Sequence, residues 1–260
     1  KKNGAPIVVK ADGLALGKGV IIAQTLDEAK NAVRSIMEDK MFGESGNSIV
    51  IEEFLEGPEV SVLSFTDGNV VVPMVSSMDH KRAHDNDEGL NTGGMGTVAP
   101  NPYYTDDIAA ICMDTIFIPT INAMKKEGRE FRGCLYFGLM LTKNGPKVIE
   151  YNCRFGDPET QVVLPLLESD LFTVMKATSE GRLADVDIKF ADKSACCVIV
   201  SSKGYPVKYQ NGFEIKLPEN TPDTDIYVAG AKLADGKLLS AGGRVLGVTA
   251  VADDLETAIK

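Results

Sequence analysis

The sequence predicts an α+β fold, and three observations support this class. Strand-like and helix-like segments are intermixed without the regular alternation that a parallel α/β sheet requires. A polar, glycine-rich segment over residues 79–102 interrupts them, and from about residue 193 short strands and turns prevail. The 260 residues are 44% hydrophobic and 25% charged, an ordinary composition for a globular protein with a sizeable core.

The first part of the chain predicts two strands, a helix and then three more strands. Short apolar runs over residues 6–10 and 20–23 flank a glycine-rich loop. Thr25 and Glu28 have the spacing of a capping box, so a helix is expected from there toward Asp39. Further strands are expected at residues 48–55, 60–65 and 70–74. The last two form a hairpin, because Asp-Gly is a common turn sequence.

The second part predicts a long helix, a buried hairpin and further helices. Thr105 caps a helix that Pro119 is expected to kink. Residues 134–141 form a continuous apolar run, which predicts a strand buried on both faces. A turn at Asn144 and Gly145 leads to a partner strand over residues 147–152, and helical segments follow as far as Gly181.

The charge balance limits the classes of partner. The chain has 27 Lys and Arg against 37 Asp and Glu, a net charge of -10, which argues against nucleic-acid and anionic membrane surfaces. No apolar run approaches the ~20 residues of a membrane span, and no secretory leader opens the chain. The five cysteines include no CxxC pair, so we expect reduced thiols in a cytoplasmic protein.

The glycine-rich loop is a candidate phosphate site. Gly13, Gly17 and Gly19 allow backbone N–H groups to approach a phosphate, and Lys10 and Lys18 supply positive charge. The spacing of the glycines is not that of a P-loop. The alternative is a glycine-rich hairpin with solvated lysines.

The strand over residues 147–152 is a candidate metal site. Because alternate side chains share a strand face, Val148, Glu150 and Asn152 are expected to point one way, the last two about 7 Å apart. Two side-chain oxygens at the end of a strand suit Mg²⁺, and Arg154 could clamp a phosphate. The alternative is an exposed hairpin strand with Glu on its solvent face.

Two further segments could bind ligands. The strand ending in Glu52, Glu53, Phe54 and Leu55, followed by Glu59, offers backbone groups for adenine and a carboxylate for ribose; the alternative is a plain strand–turn–strand.

The segment over residues 79–96 fits a substrate-binding loop or, alternatively, a disordered surface loop. Zinc binding by His80 and His84 is a weaker alternative, because the segment does not look helical and contains no cysteine.

Taken in this order, the segments resemble the ATP-grasp ligases, and within them the glycinamide ribonucleotide synthetase family. The resemblance covers essentially the whole chain. It is carried by residues 6–19, 50–60, 79–96, 148–161, 201–206 and 242–247. It implies an ATP-grasp fold in which two α+β subdomains surround ATP, followed by part of a small β-rich C-terminal domain. The implied domains are residues 1–66, 67–190 and 191–260, in a fragment without the family's N-terminal domain and extreme C-terminus.

The resemblance also implies an activity. ATP phosphorylates the carboxylate of glycine, and the amine of 5-phosphoribosylamine attacks the resulting glycyl phosphate. The products are glycinamide ribonucleotide, ADP and phosphate, in purine biosynthesis. ATP and Mg²⁺ or Mn²⁺ are the implied cofactors, and a monomer without nucleic-acid or membrane partners is expected. Another ATP-grasp carboxylate–amine ligase, a carboxylase and a non-catalytic nucleotide-binding module remain alternatives.

Individual roles follow from the same resemblance. The implied catalytic residues are Arg154 and Lys18, and the implied metal ligands are Glu150 and Asn152. ATP would be bound by Lys10, Gly13, Gly17, Lys18, Gly19, Glu52, Glu53, Phe54, Leu55 and Glu59. The substrates would be bound by Asp87, Asn91, Thr92, Gly93, Gly94, Met95, Asp157, Lys203 and Arg244.

The sequence departs from the family pattern at two places. Residues 136–139 carry no acidic metal ligand, which leaves a third ligand unassigned, and Leu90 stands where proline is expected.

Overall fold

The computed structural model describes residues 4–15, 19–218 and 224–260. Its strands are β1 (Ile7–Ala11), β2 (Val20–Ala23), β3 (Ile49–Glu53), β4 (Glu59–Thr66), β5 (Val71–Pro73), β6 (Met78–Asp79), β7 (Arg82–His84), β8 (Glu88–Asn91), β9 (Gly96–Ala99), β10 (Gly133–Thr142), β11 (Gly145–Asn152), β12 (Ser194–Ser201), β13 (Thr224–Val228), β14 (Ala231–Ala234), β15 (Lys237–Ser240) and β16 (Arg244–Ala252). Its helices are α1 (Leu26–Met37), α2 (Asp106–Cys112), α3 (Ile118–Lys126), α4 (Thr160–Val163), α5 (Leu171–Glu180) and α6 (Leu255–Ile259).

The first compact unit extends from Lys1 to Glu56. Its antiparallel sheet has the order β2-β1-β3, and α1 packs Ala32 and Ile36 against Val9. Helix α1 begins where the capping box predicts, since the side chain of Thr25 accepts a hydrogen bond from the Glu28 N–H at 3.2 Å.

The second compact unit extends from Gly57 to Lys260 and contains two larger sheets. Their orders are β11-β10-β4-β5 and β13-β16-β12-β9-β6. Leu63 and Tyr136 of the first sheet join Cys197 and Ile199 of the second in one core cluster. Phe137 and Leu139 contribute to a second cluster, so β10 is buried on both faces as its apolar run predicts.

The helical segment from Asp106 to Lys126 corrects the expectation that no apolar run approaches the length of a membrane span. A five-residue π-helical segment, Met113–Phe117, joins α2 to α3 without interruption. The resulting 21-residue helix is long and apolar enough to cross a membrane, by length and composition alone. One side of it, with Ile116, Phe117 and Ile121, packs into the second core cluster against β4 and β10.

The segment over residues 79–102 is more ordered than the sequence predicts. Strands β7 and β8 form a hairpin, with Arg82 opposite Asn91, and β9 pairs with both β6 and β12. Asn86 and Asp87 have positive φ angles of 59° and 57° in the hairpin turn. These strands lack an alternating apolar pattern, because the hairpin residues are largely exposed, so periodicity alone could not identify them.

The division into compact units differs from the predicted domains. The first unit ends at Glu56, ahead of the predicted boundary after residue 66, because β4 is a central strand of the second unit's sheet. The strands after residue 191 also pair with β9 from the preceding segment. No division by contacts therefore falls at residue 190.

Candidate active site

The end of β11 brings three predicted residues together. Asn152 Nδ2 donates a hydrogen bond to Glu150 Oε1 at 3.1 Å, and Arg154 donates from its terminal guanidinium nitrogen to Asn152 Oδ1 at 3.3 Å. Arg154 also donates to the backbone oxygen of Phe155 at 2.8 Å. The predicted shared face of Glu150 and Asn152 is confirmed.

Val148 does not share this face, contrary to the sequence prediction. Leu139 lies opposite Val148 while the adjacent Gly138 lies opposite Glu150, so Ile149 is an extra residue in the ladder. This bulge leaves Val148 in the second core cluster and Glu150 exposed. A Cβ atom at position 138 would lie 3.2 Å from Glu150 Cγ, so glycine leaves room for this side chain.

The donor set suits a hard divalent cation. Glu150 and Asn152 each offer an oxygen, and Mg²⁺ is commonly held by one or two protein oxygens together with water and substrate phosphates. In the described residues, no group of three or more His, Cys, Asp or Glu side chains is placed to bind a metal.

Lys81 is a site residue that the sequence interpretation missed. Its Nζ lies 2.5 Å from Oε2 of Glu59, the carboxylate predicted to bind ribose. Burial lowers the pKa of Lys81, but Glu59 first, and then Asp79 and Glu150, raise it above its ordinary value. Lys81 is therefore a charged ammonium group close to the candidate metal ligands, and no periodic pattern in a polar segment could have singled it out.

Asp79 and Glu159 form a second feature that the sequence did not indicate. Glu159 is 5% exposed and accepts a hydrogen bond from the Tyr136 hydroxyl at 3.0 Å. Asp79 lies on β6, and its Oδ1 is buried with no hydrogen-bond partner among the described residues. Burial and the nearby Glu159 raise the pKa of Asp79 to about 7.

The loop after β8 is held by contacts from three parts of the second unit. Thr92 donates from both its N–H and its hydroxyl to the Lys81 carbonyl, at 2.7 and 2.8 Å. The Gly93 N–H donates to the Tyr205 hydroxyl at 2.9 Å, and Arg244 donates to the Gly93 carbonyl at 2.7 Å. Gly94 and Met95 lie next along this loop, Gly94 being buried.

Arg244 joins this loop to the turn after β11. It donates to the Asp157 carbonyl at 2.9 Å and to Asp157 Oδ2 at 3.1 Å. The other predicted substrate residues lie further along the surface: Asp87 and Asn91 in the exposed hairpin, and Lys203 in an exposed turn after β12. Arg244 and Asp157 are therefore oriented toward the protein, where they support the loop.

The first compact unit carries the other predicted nucleotide residues. Lys10 Nζ lies 2.6 Å from Glu52 Oε2 across adjacent strands. A Cβ at position 13 would lie 2.6 Å from Ser45 Cα, and one at position 19 would lie 2.7 Å from Ala15 Cβ, so packing alone requires both glycines. Gly17 and Lys18 lie outside the described residues. Glu53 ends β3, and Phe54 and Leu55 follow it.

Comparison with known families identifies the chain. Residues 1–160 match the ATP-grasp (A) domain of phosphoribosylglycinamide synthetase, and residues 195–260 match its C domain. The chain belongs to the phosphoribosylglycinamide synthetase family. Both the family resemblance and the ATP-grasp fold predicted from the sequence are thereby confirmed.

Individual relatives of this chain extend the comparison. A phosphoribosylamine–glycine ligase from Vigna unguiculata is 48% identical over 265 residues, covering 99% of this chain and 85% of the relative. One from Caldanaerobacter subterraneus subsp. tengcongensis is 46% identical over 258 residues, covering 99% of this chain and 62% of the relative. The chain thus spans about three fifths of the length of such bacterial relatives.

A solved structure agrees with the family assignment. The crystal structure of phosphoribosylamine–glycine ligase from Thermotoga maritima aligns with a TM-score of 0.86 and 34% identity, covering 99% of this chain and 64% of that chain. The phosphoribosylglycinamide synthetase fold thus extends over nearly all of the sequence.

Proposed function

We propose that this chain carries the catalytic core of an ATP-dependent ligase that joins glycine to 5-phosphoribosylamine. The reaction proceeds through glycyl phosphate and gives glycinamide ribonucleotide, ADP and phosphate, a step of purine biosynthesis. The observation that carries the proposal is the contiguous arrangement of Glu150, Asn152 and Arg154, with the ammonium group of Lys81 nearby. A cytoplasmic monomer without nucleic-acid or membrane partners is part of the same proposal.

Phosphoryl transfer requires that negative charge on the transferring group be stabilised. Glu150 and Asn152 would hold Mg²⁺ or Mn²⁺, which supplies charge stabilisation for the phosphates of ATP when bound. Arg154 donates planar, charged hydrogen bonds suited to a phosphoryl group, and Lys81 adds a second positive charge. We assign Lys18 the same role on sequence grounds.

We assign nucleotide-binding roles to residues in each compact unit separately. In the first unit, Lys10 exchanges its ion pair with Glu52 for a phosphate, and Gly13, Gly17 and Gly19 supply backbone N–H groups. The backbone of Glu52, Glu53 and Leu55 contacts adenine beside Phe54. In the second unit, Glu59 releases Lys81 and accepts hydrogen bonds from ribose hydroxyls.

The loop held by Arg244 would form the acceptor side. Its backbone groups from Asn91 to Met95, with Asp87 and Lys203 at the periphery, bind glycine and the amine. The amine nitrogen attacks the acyl carbon, the bond from that carbon to the phosphate oxygen breaks, and phosphate leaves. The loop must exclude water during this step, because an acyl phosphate exposed to water is hydrolysed.

The proposal is tested on the natural full-length protein by measuring ADP release. We expect release to require glycine and Mg²⁺, bicarbonate not to replace glycine, and hydroxylamine to trap glycyl phosphate as glycine hydroxamate. Addition of fresh 5-phosphoribosylamine should give one amide per ADP. Release stimulated by bicarbonate and not by glycine would instead indicate a carboxylase, and nucleotide binding without release would indicate a binding module.

A further inference from the structure

Asp79 is a carboxylate at the edge of the acceptor loop to which the proposed mechanism assigns no role. The backbone beside it pairs with the loop, since His80 N–H donates to the Gly96 carbonyl at 2.9 Å and Met95 N–H donates to the His80 carbonyl at 2.8 Å. Gly94 packs directly on the carboxylate, because a Cβ there would lie 2.6 Å from Asp79 Oδ1. The carboxylate therefore adjoins the segment that binds the amine.

The charged groups around Asp79 do not neutralise it by direct contact. Glu159 and Glu59 are the nearby carboxylates, and Lys81 and Arg244 are the nearby cations. Lys81 is hydrogen bonded to Glu59, and Arg244 to Gly93 and Asp157. Oδ1 thus remains without a partner among the described residues, although a buried unpaired carboxylate oxygen is costly.

A carboxylate with a purely structural role looks different in the same unit. Asp67 is 1% exposed and accepts hydrogen bonds from the N–H groups of Asn69, Val70 and Leu183, at 2.9, 2.9 and 3.0 Å. Burial raises the pKa of Asp67, but these bonds outweigh it and lower the pKa overall. Asp79 has no such hydrogen bonds at Oδ1, and the nearby Lys81 and Arg244 only partly offset the burial and the Glu159 charge that raise its pKa.

We propose that Asp79 is the proton acceptor of the amide-forming step, an inference that rests on the proposed function. As the amine nitrogen bonds to the acyl carbon, one N–H bond breaks and its proton moves to the Asp79 carboxylate. The electron pair of the breaking carbon–oxygen bond leaves with phosphate. Protonated Asp79 then loses its proton to water after the products depart, so atoms and charges balance.

The surroundings of Asp79 suit this role. A general base is most effective when its pKa lies near the working pH, and burial with Glu159 brings the pKa of Asp79 to about 7. A carboxylate with an ordinary pKa would be a much weaker base toward an ammonium-like transition state. Removal of such a group typically slows a reaction by a factor on the order of 10²–10⁴.

The test compares Asp79→Asn with Asp85→Asn in the natural full-length protein. Asp85 is exposed in the neighbouring hairpin and serves as a matched control. Each variant is assayed with ATP, Mg²⁺, glycine and one of two nucleophiles. One is 5-phosphoribosylamine, and the other is hydroxylamine, which reacts with acyl phosphates without a protein base. We expect Asp79→Asn to slow amide formation about 10²-fold, while hydroxamate formation stays at the parent rate.

Two further readouts separate proton transfer from a structural role. In Asp79→Asn the ratio of ADP to amide should rise, because uncaptured glycyl phosphate is hydrolysed. The parent rate of amide formation should rise with pH through about 7 and then level off, and the variant should lack this inflection.

Each other outcome overturns a specific claim. Unchanged amide formation in Asp79→Asn, or equal loss of hydroxamate and amide, would show that Asp79 is not the base. A parent protein that forms no hydroxamate would instead overturn the proposed function, and this inference with it.

Discussion

Asn152 donates a hydrogen bond to Glu150 at 3.1 Å, which links the two candidate metal ligands on one face of β11. Arg154 donates to Asn152 in turn, so one amide group connects a carboxylate and a guanidinium. The amide nitrogen of Asn152 therefore faces Glu150, and its oxygen faces Arg154. A cation bound there would exchange the amide–carboxylate hydrogen bond for coordination by both oxygens.

Glu150→Ala combined with Asn152→Ala should strongly slow Mg²⁺-dependent ADP release while leaving the fold intact. Both side chains are at least partly exposed, so their removal leaves no core cavity. Loss of metal-assisted charge stabilisation should slow ADP release on the order of 10²–10³-fold. Lys143→Ala, in the exposed turn of the same hairpin, is the control. Retained Mg²⁺ dependence at the parent rate, with unchanged circular dichroism, would place the metal elsewhere.

Arg244→Ala should weaken binding of the amine more than it slows ADP release. The hydrogen bonds from the guanidinium to Gly93 and Asp157 hold the acceptor loop in place. Because charge-assisted hydrogen bonds contribute substantial free energy, their loss should raise the KM for the amine about 10–100-fold. Arg182→Ala, which removes an exposed ion pair with Glu180, should leave both parameters unchanged. An equal effect of the two variants on KM would contradict the positioning role.

Gly94→Ala should destabilise the protein strongly. Gly94 has a φ of +109°, and a Cβ would lie 2.5 Å from Pro158 Cδ and 2.6 Å from Asp79 Oδ1. Backbone strain and overpacking together should lower the free energy of unfolding by about 2–4 kcal/mol, measured by urea denaturation. Gly212 has a similar φ of +93° but open space around it. In Gly212→Ala, backbone strain alone should therefore lower the free energy of unfolding by about 1 kcal/mol. Equal effects would show that the contacts of Gly94 are unimportant.

Asp79→Asn should stabilise the ligand-free protein at pH 8 and have little effect at pH 4. Folding raises the pKa of Asp79 from 3.8 to about 7, so the folded state retains a proton that the unfolded state releases between these values. Stability is therefore lost as pH rises through this window, and the loss is complete above pH 7. Removing the charge should raise Tm at pH 8 by a few degrees.

Asp85→Asn provides the control for this measurement, since its carboxylate is exposed on the β7–β8 hairpin. Its Tm should follow that of the parent at both pH values. A difference between Asp79→Asn and the parent that is the same at pH 4 and pH 8 would mean that Asp79 does not carry a buried charge.

The sequence alone determined the features that depend on local geometry. The cap of α1 by Thr25 and the common face of Glu150 and Asn152 follow from spacings of two or three residues, and strand β10 follows from one continuous apolar run. Such spacings reflect the repeat of a strand or a helix turn, so a single segment contains all the information needed. The family resemblance likewise rested on motifs within continuous segments.

The tertiary structure decided the features that depend on distant parts of the chain. Lys81 meets Glu59 across 22 positions, close to the bridge between Ser61 and Ser77. Arg244 meets Gly93 across 151 positions, because β12 pairs with both β9 and β16. The bulge at Ile149 and the burial of Asp79 against Gly94 also arise from how strands and loops pack. No local periodicity encodes which strands become neighbours, so the surroundings that raise the pKa of Asp79 exist only once the sheets have assembled.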